Sequence, residues 1–135
     1  MTSTLVTGFK IVCSTVGGFI GSIFGELDGV LYALLIFLVI DYITGVMAAV
    51  VEKKLSSSIG FKGIFKKIVL VFLVSVAHII DTNILKYGGV IRTTVIFFYL
   101  SNEGLSILEN AVRIGLPIPE KLKELLKHIK DGGSH

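Results

Sequence analysis

An all-α, polytopic membrane fold is what this sequence predicts: three clear transmembrane helices, a fourth N-terminal helix that either spans or lies in the interface, and a C-terminal amphipathic helix. Three observations predict it. Of the 135 residues, 53% are hydrophobic and 17% charged, against about 25% charged in soluble domains, and the mean hydropathy is +0.85. The apolar residues collect in runs close to the roughly 20 that a helix needs to cross the hydrocarbon core. The lysines collect between and after those runs. Residues 1–116 form the expected membrane domain and residues 117–135 a basic amphipathic tail.

The first run, about residues 5–24, is interrupted by Lys10 and by glycines. No positive side chain precedes it and no A-x-A-like cleavage site follows, so it does not read as a signal peptide. Gly17, Gly21 and Gly25 fall at four-residue steps with Gly18 and Ser22 beside them. Such a ridge suits close helix approach and makes these glycines oligomerisation candidates, while glycine also fits a mobile interfacial helix. The second run, about 29–51, is the most apolar, and Asp41 is the lone charge of "LLIFLVIDYITGVMAAVV". A carboxylate at the centre of a lone helix in lipid costs about 2.5–3.5 kcal/mol. Either this helix is not alone or the site is wet.

The connection "EKKLSSSIGFKGIFKK" carries Lys53, Lys54, Lys62, Lys66 and Lys67 against one acid, Glu52. These read as membrane-surface basic residues on the cytoplasmic side. The third run, about 68–85, contains His78 and Asp81, three apart on one helix face. The fourth, about 90–114, is the most polar. In it Tyr99, Asn102, Glu103, Ser106, Glu109, Asn110 and Arg113 recur at intervals of three and four, drawing one stripe that cannot face lipid. The tail enters a helix through Pro119, places Leu122, Leu125, Leu126 and Ile129 at helical spacing, and surrounds them with Lys121, Lys123, Lys127 and Lys130. It suits an anionic leaflet or a solvated helical tail. Two crossings separate its lysines from the first basic cluster, so both are expected inside and the C-terminus is cytoplasmic.

Asp41, His78, Asp81, Asn102, Glu103, Ser106, Glu109, Asn110 and Arg113 are therefore the intramembrane polar, pore-lining candidates. Periodicity alone leaves open whether these faces pair within one molecule, meet between molecules or border water. No catalytic set emerges: there is no Walker-type loop, no G-x-S-x-G and no second His or Cys at metal-ligand spacing from His78. No enzyme activity, metal or cofactor is expected. The formal charge of +3 sits at the membrane flanks and does not read as a nucleic-acid surface, and the single cysteine, Cys13, excludes an intramolecular disulfide.

Over about residues 36–126 the chain resembles the phage holins grouped with toxin-secretion holins of Gram-positive bacteria. The resemblance rests on the D-Y-x-T-G block (Asp41, Tyr42, Thr44, Gly45), the S-S-x-G-x-x-G-x-x-K-K block (residues 57–67), and N-E-G-x-S-x-x-E-N followed by G-L-P-I-P (residues 102–119). It implies a homo-oligomer of the bacterial cytoplasmic membrane whose lesions pass an endolysin to the cell wall or release a large toxin. The residues themselves also admit a small ion or solute channel with His78, Asp81 and Glu103 as a relay.

Overall fold

The computed structural model describes residues 1–131, of Ile129 and Lys130 the backbone only; the side chain of Lys130, expected on the membrane surface, thus lies outside the description. The described chain is helical and contains no strand: α1 Thr2–Phe24, α2 Gly29–Val51, α3 Ser57–Ile79 running on into a π-helical turn Ile80–Leu85, α4 Val90–Ile114 and α5 Glu120–Lys130. Three of these are long and apolar enough to cross a membrane, Thr2–Phe24, Gly29–Val51 and Ser57–Leu85. The chain is a membrane protein.

The helix ends follow from local chemistry. Asp28 caps α2, its carboxylate accepting from the Leu31 N–H at 2.9 Å, and Gly115 ends α4 in the left-handed region at φ 115°. The third run is corrected at its start. Instead of a connection as far as Lys67, the helix begins at Ser57, with the Ser56 hydroxyl accepting from Ile59 N–H at 3.2 Å. Tyr42 of α2 packs on these first turns, its hydroxyl 3.5 Å from where a Cβ on Gly60 would stand and its ring 3.5 Å from the same point on Gly63, both ordinary contact distances. At 29 residues α3 with its π-helical turn is about 43 Å long, longer than the roughly 30 Å hydrocarbon core. The tail helix starts at Glu120, one residue after the expected position, and Pro119 contributes its carbonyl to the Lys123 N–H.

Helix α4 is the centre of the bundle, packing along α2 and α3 and against α5. An apolar core of Leu31, Leu34, Leu38, Leu70, Val74 and Ile96 holds the half of the bundle nearest the α1–α2 connection, and Leu34 and Ile96 are fully buried. Helix α1 buries none of its residues. It is tied down only at its C-terminal end, where Ser75 Oγ donates to the Ile23 carbonyl at 3.1 Å and Arg92 Nε to the Phe24 carbonyl at 2.9 Å. Helix α5 turns back along α4, and its Leu126 occupies the notch left by Gly104 beside Phe37.

Candidate functional site

The partner that Asp41 requires comes from a lysine expected at the surface. Lys67 Nζ lies 2.8 Å from Asp41 Oδ2 and 2.8 Å from Glu103 Oε2, joining α2, α3 and α4 through one ammonium group. All three side chains are largely buried, 19%, 11% and 13% exposed. This corrects the placement of Lys67 among the membrane-surface residues. Its neighbour Lys66 stays exposed, because consecutive residues on a helix point about 100° apart.

The network continues along the α2–α4 seam. Asn110 Nδ2 donates to Asp41 Oδ1 at 2.8 Å and to Thr44 Oγ1 at 3.0 Å, while its own Oδ1 accepts from Arg113 Nη1 at 3.2 Å. Arg113 in turn donates through Nε and Nη2 to Glu52 Oε1 at the end of α2. That guanidinium holds the Glu52 carboxyl below the usual carboxylate range. From Asp41 to Glu52 the seam extends about 16 Å along α2. It borders a cleft of about 600 Å³ between α2, α3 and α4, lined among others by Asp41, Lys67, Asn102, Glu103 and Ser106.

A second polar cluster closes the other end of the bundle. Arg92, buried on the first turn of α4, donates to the carbonyls of Phe24 and Glu26 and to Asp28 Oδ2 at 2.9, 2.8 and 2.9 Å. The Leu31 N–H and then Arg92 hold the Asp28 carboxyl below its ordinary value. Asp81 is buried and caps α4, its Oδ2 accepting from the N–H groups of Ile91 and Arg92 at 3.0 and 3.2 Å. Gly25 sits in the left-handed region at φ 84°, and a Cβ there would stand 2.7 Å from Arg92 Nε and 3.0 Å from His78 Nδ1. It is a turn residue outside α1 and so does not continue the ridge of Gly17 and Gly21, which face open space.

The stripe on α4 thus divides. Glu103, Ser106 and Asn110 meet α2 and α3 at the cleft, whereas Glu109 faces a separate cavity of about 910 Å³ between α4 and α5. Asp81 and Glu103 belong to two networks on opposite halves of α4, and no hydrogen bond joins these networks among the described residues. Arg92 and Asp28 were not among the expected site residues, and Tyr42 was expected only as part of the D-Y-x-T-G block. For Lys67 a usable signal was arithmetic: the acids of the expected spans exceed the cations assigned to them, and an excess buried acid needs a basic partner. Among the lysines expected at the surface, Lys53, Lys54, Lys62, Lys66, Lys121 and Lys127 are exposed, and Lys123 is half-buried against α4.

These contacts define a small polytopic membrane protein in which spanning helices turn acids, amides and a lysine inward upon one another. Residues 18–131 match the bacteriophage holin family, and the chain belongs to that family. It is 50% identical over 110 residues to an uncharacterised protein of Listeria monocytogenes, covering 82% of this chain and 78% of that protein. An uncharacterised 14.9 kDa protein of Clostridium perfringens is 43% identical over 109 residues, 81% of this chain and 83% of its own length. A probable holin of Bacillus phage phi105 is 39% identical over 108 residues, covering 80% and 78%. No solved structure matches.

Proposed function

We propose that the chain acts as a holin of the bacterial cytoplasmic membrane, assembling with copies of itself into lesions that pass an endolysin or a large protein toxin. The observation that carries this reading is family membership over most of the chain, joined to a polar network that one subunit satisfies internally. Asp41, Lys67, Glu103 and Asn110 compensate one another while the subunit is alone. In an assembly the same groups exchange partners between copies or border water, so the network that hides them in the closed subunit becomes the wall of the lesion. Gly17 and Gly21 leave α1 free to approach another helix closely, supporting its use between copies. Family membership points to a non-enzymatic role.

Expression in bacteria with timed release of a cytoplasmic enzyme tests the reading. Abrupt release of the enzyme is expected; selective ion flux without enzyme leakage would refute it. The C-terminus and the Glu52–Ser57 connection are cytoplasmic in this reading. Ser57→Cys and Ser134→Cys, made with Cys13 replaced by Ser, should resist a membrane-impermeant thiol reagent until the cells are permeabilised, and labelling of either in intact cells would reverse the orientation.

A further inference from the structure

The cleft that ends at Asp41 holds more positive charge than its own acids use. Lys67 is taken up by Asp41 and Glu103, and Arg113 by Glu52. Lys54 and Lys66 line the same cleft, are exposed, and form no ion pair among the described residues. Lys54 adds only a longer-range pull on Glu52, which Arg113 already holds. The rest of the lining is largely apolar, with Ala49 on α2, Leu55 on the connection, and Val69 and Leu73 on α3. Its volume, about 600 Å³, falls in the range of about 300–1,000 Å³ usual for small-molecule sites.

We propose that this cleft binds one anionic glycerophospholipid, its phosphate held between Lys54 and Lys66 and an acyl chain laid along the wall towards Leu73. Two unpaired ammonium groups at the mouth select a phosphate of net negative charge. The apolar wall selects a lipid over free phosphate, which would leave that surface uncovered. A zwitterionic headgroup brings its own cation to compete with the lysines. Mouth and wall follow the order in which a leaflet presents its headgroups and chains, because Lys66 precedes Leu73 by two turns along α3. The site requires only that this end of the bundle lies at a leaflet surface, and it stands whether or not the chain forms lesions.

The test uses the full chain purified in detergent and native mass spectrometry, with dioleoylphosphatidylglycerol or dioleoylphosphatidylcholine added. Each basic residue near an anionic lipid contributes roughly fivefold in affinity, so Lys54→Gln with Lys66→Gln should lower retained phosphatidylglycerol by about 25-fold. Lys53→Gln with Lys62→Gln removes the same charge from exposed positions outside the cleft and should leave retention near that of the unaltered chain. Both pairs lie on the surface, and circular dichroism before and after the change establishes that each variant is folded. Equal losses in the two double variants would overturn the site in favour of a general basic surface. Equal retention of phosphatidylcholine would overturn the headgroup selection, and displacement of phosphatidylglycerol by millimolar inorganic phosphate would overturn the lipid assignment.

Discussion

Replacing Lys67 by Met separates the two places this lysine has been given. As a surface residue it would behave like Lys66, and Lys66→Met should change stability by no more than about 0.5 kcal/mol. In the structure its ammonium group stands 2.8 Å from each of two carboxylates whose side chains are 11% and 13% exposed. Removing it leaves Asp41 and Glu103 facing one another, of which only Asp41 keeps a donor from a neighbouring side chain, Asn110. Breaking a buried pair in this way costs about 3–5 kcal/mol, because the remaining charge is uncompensated. The Met side chain fills most of the volume, so the loss reports charge more than a cavity.

Thermal unfolding in detergent, with membrane abundance in cells, measures this directly. A fall in midpoint for Lys67→Met of several degrees or more beyond that for Lys66→Met is expected. A second arm comes from neutralising Lys67, Asp41 and Glu103 together. Lys67→Met combined with Asp41→Asn and Glu103→Gln removes the three buried charges that meet at Lys67 while Asn and Gln keep hydrogen-bonding groups, and stability should largely return, since replacing an entire buried ionic group is often near neutral. Enzyme release normalised to inserted protein should remain low in that variant if the charges serve the lesion. Lys67→Met and Lys66→Met with indistinguishable midpoints would refute the assignment of Lys67 to the interior. Normal release by the neutral variant would refute a functional role for the charges.

Three further outcomes are expected. Arg92→Lys should not restore what Arg92→Leu loses, because one ammonium cannot span acceptors at Phe24, Glu26 and Asp28; both should quicken proteolysis between residues 25 and 28, and protection by Lys would contradict the assignment. Asp28 is held below its ordinary value of 3.8, so its pairing with Arg92 contributes fully above that value and is lost as the pH falls through the lower, folded-state pKa; thermal stability should drop below about pH 4, and Asp28→Asn should show a shallower drop over that range. Gly104→Leu should expel Leu126, since even a Cβ at Gly104 would stand 3.2 Å from the Leu126 methyls and 3.3 Å from Phe37. The 115–119 connection should then be cleaved faster by protease, and an unchanged rate would show that α5 is not seated there.

The boundaries of α2 and α4 were legible because their stop signals are local. Asp28 before an apolar run and Gly115 after one are readable without any partner, and both helices occupy the residues expected, 29–51 and 90–114. The start of α3 was not, because the lysine-rich stretch from Glu52 to Lys67 reads as one connection, whereas the helix already begins at Ser57 under the Ser56 cap. The same limit governs the site. Periodicity states which residues share a face, and it put Glu103, Ser106 and Asn110 on one stripe of α4. It does not state which element meets that face, here α2 and α3. Lys67 was assigned by its neighbourhood in sequence, a run of lysines, whereas its side chain is directed by the turn of the helix, which separates it from Lys66. Gly25 failed for a related reason, since a four-residue step has meaning only while the helix continues, and α1 stops at Phe24.

Helix α4 shows why composition and architecture part company in this bundle. It has 25 residues, about 37 Å of helix, which is ample to cross a bilayer, yet it is not among the three helices apolar enough to do so by composition. Three of its charged residues are each met by a residue contributed from elsewhere. Arg92 meets Asp28 at the entry to α2, Glu103 meets Lys67 on α3, and Arg113 meets Glu52 at the end of α2. An isolated α4 would carry these charges into lipid at several kcal/mol, whereas in the bundle they are matched along its whole length. The long helix least suited to the membrane alone is thereby the one around which the others pack, because Arg92, Glu103 and Arg113, which bar it from lipid, each specify a neighbour and a register. Uniformly apolar helices would insert more readily and specify neither, since lipid and a second apolar helix offer nearly the same surroundings.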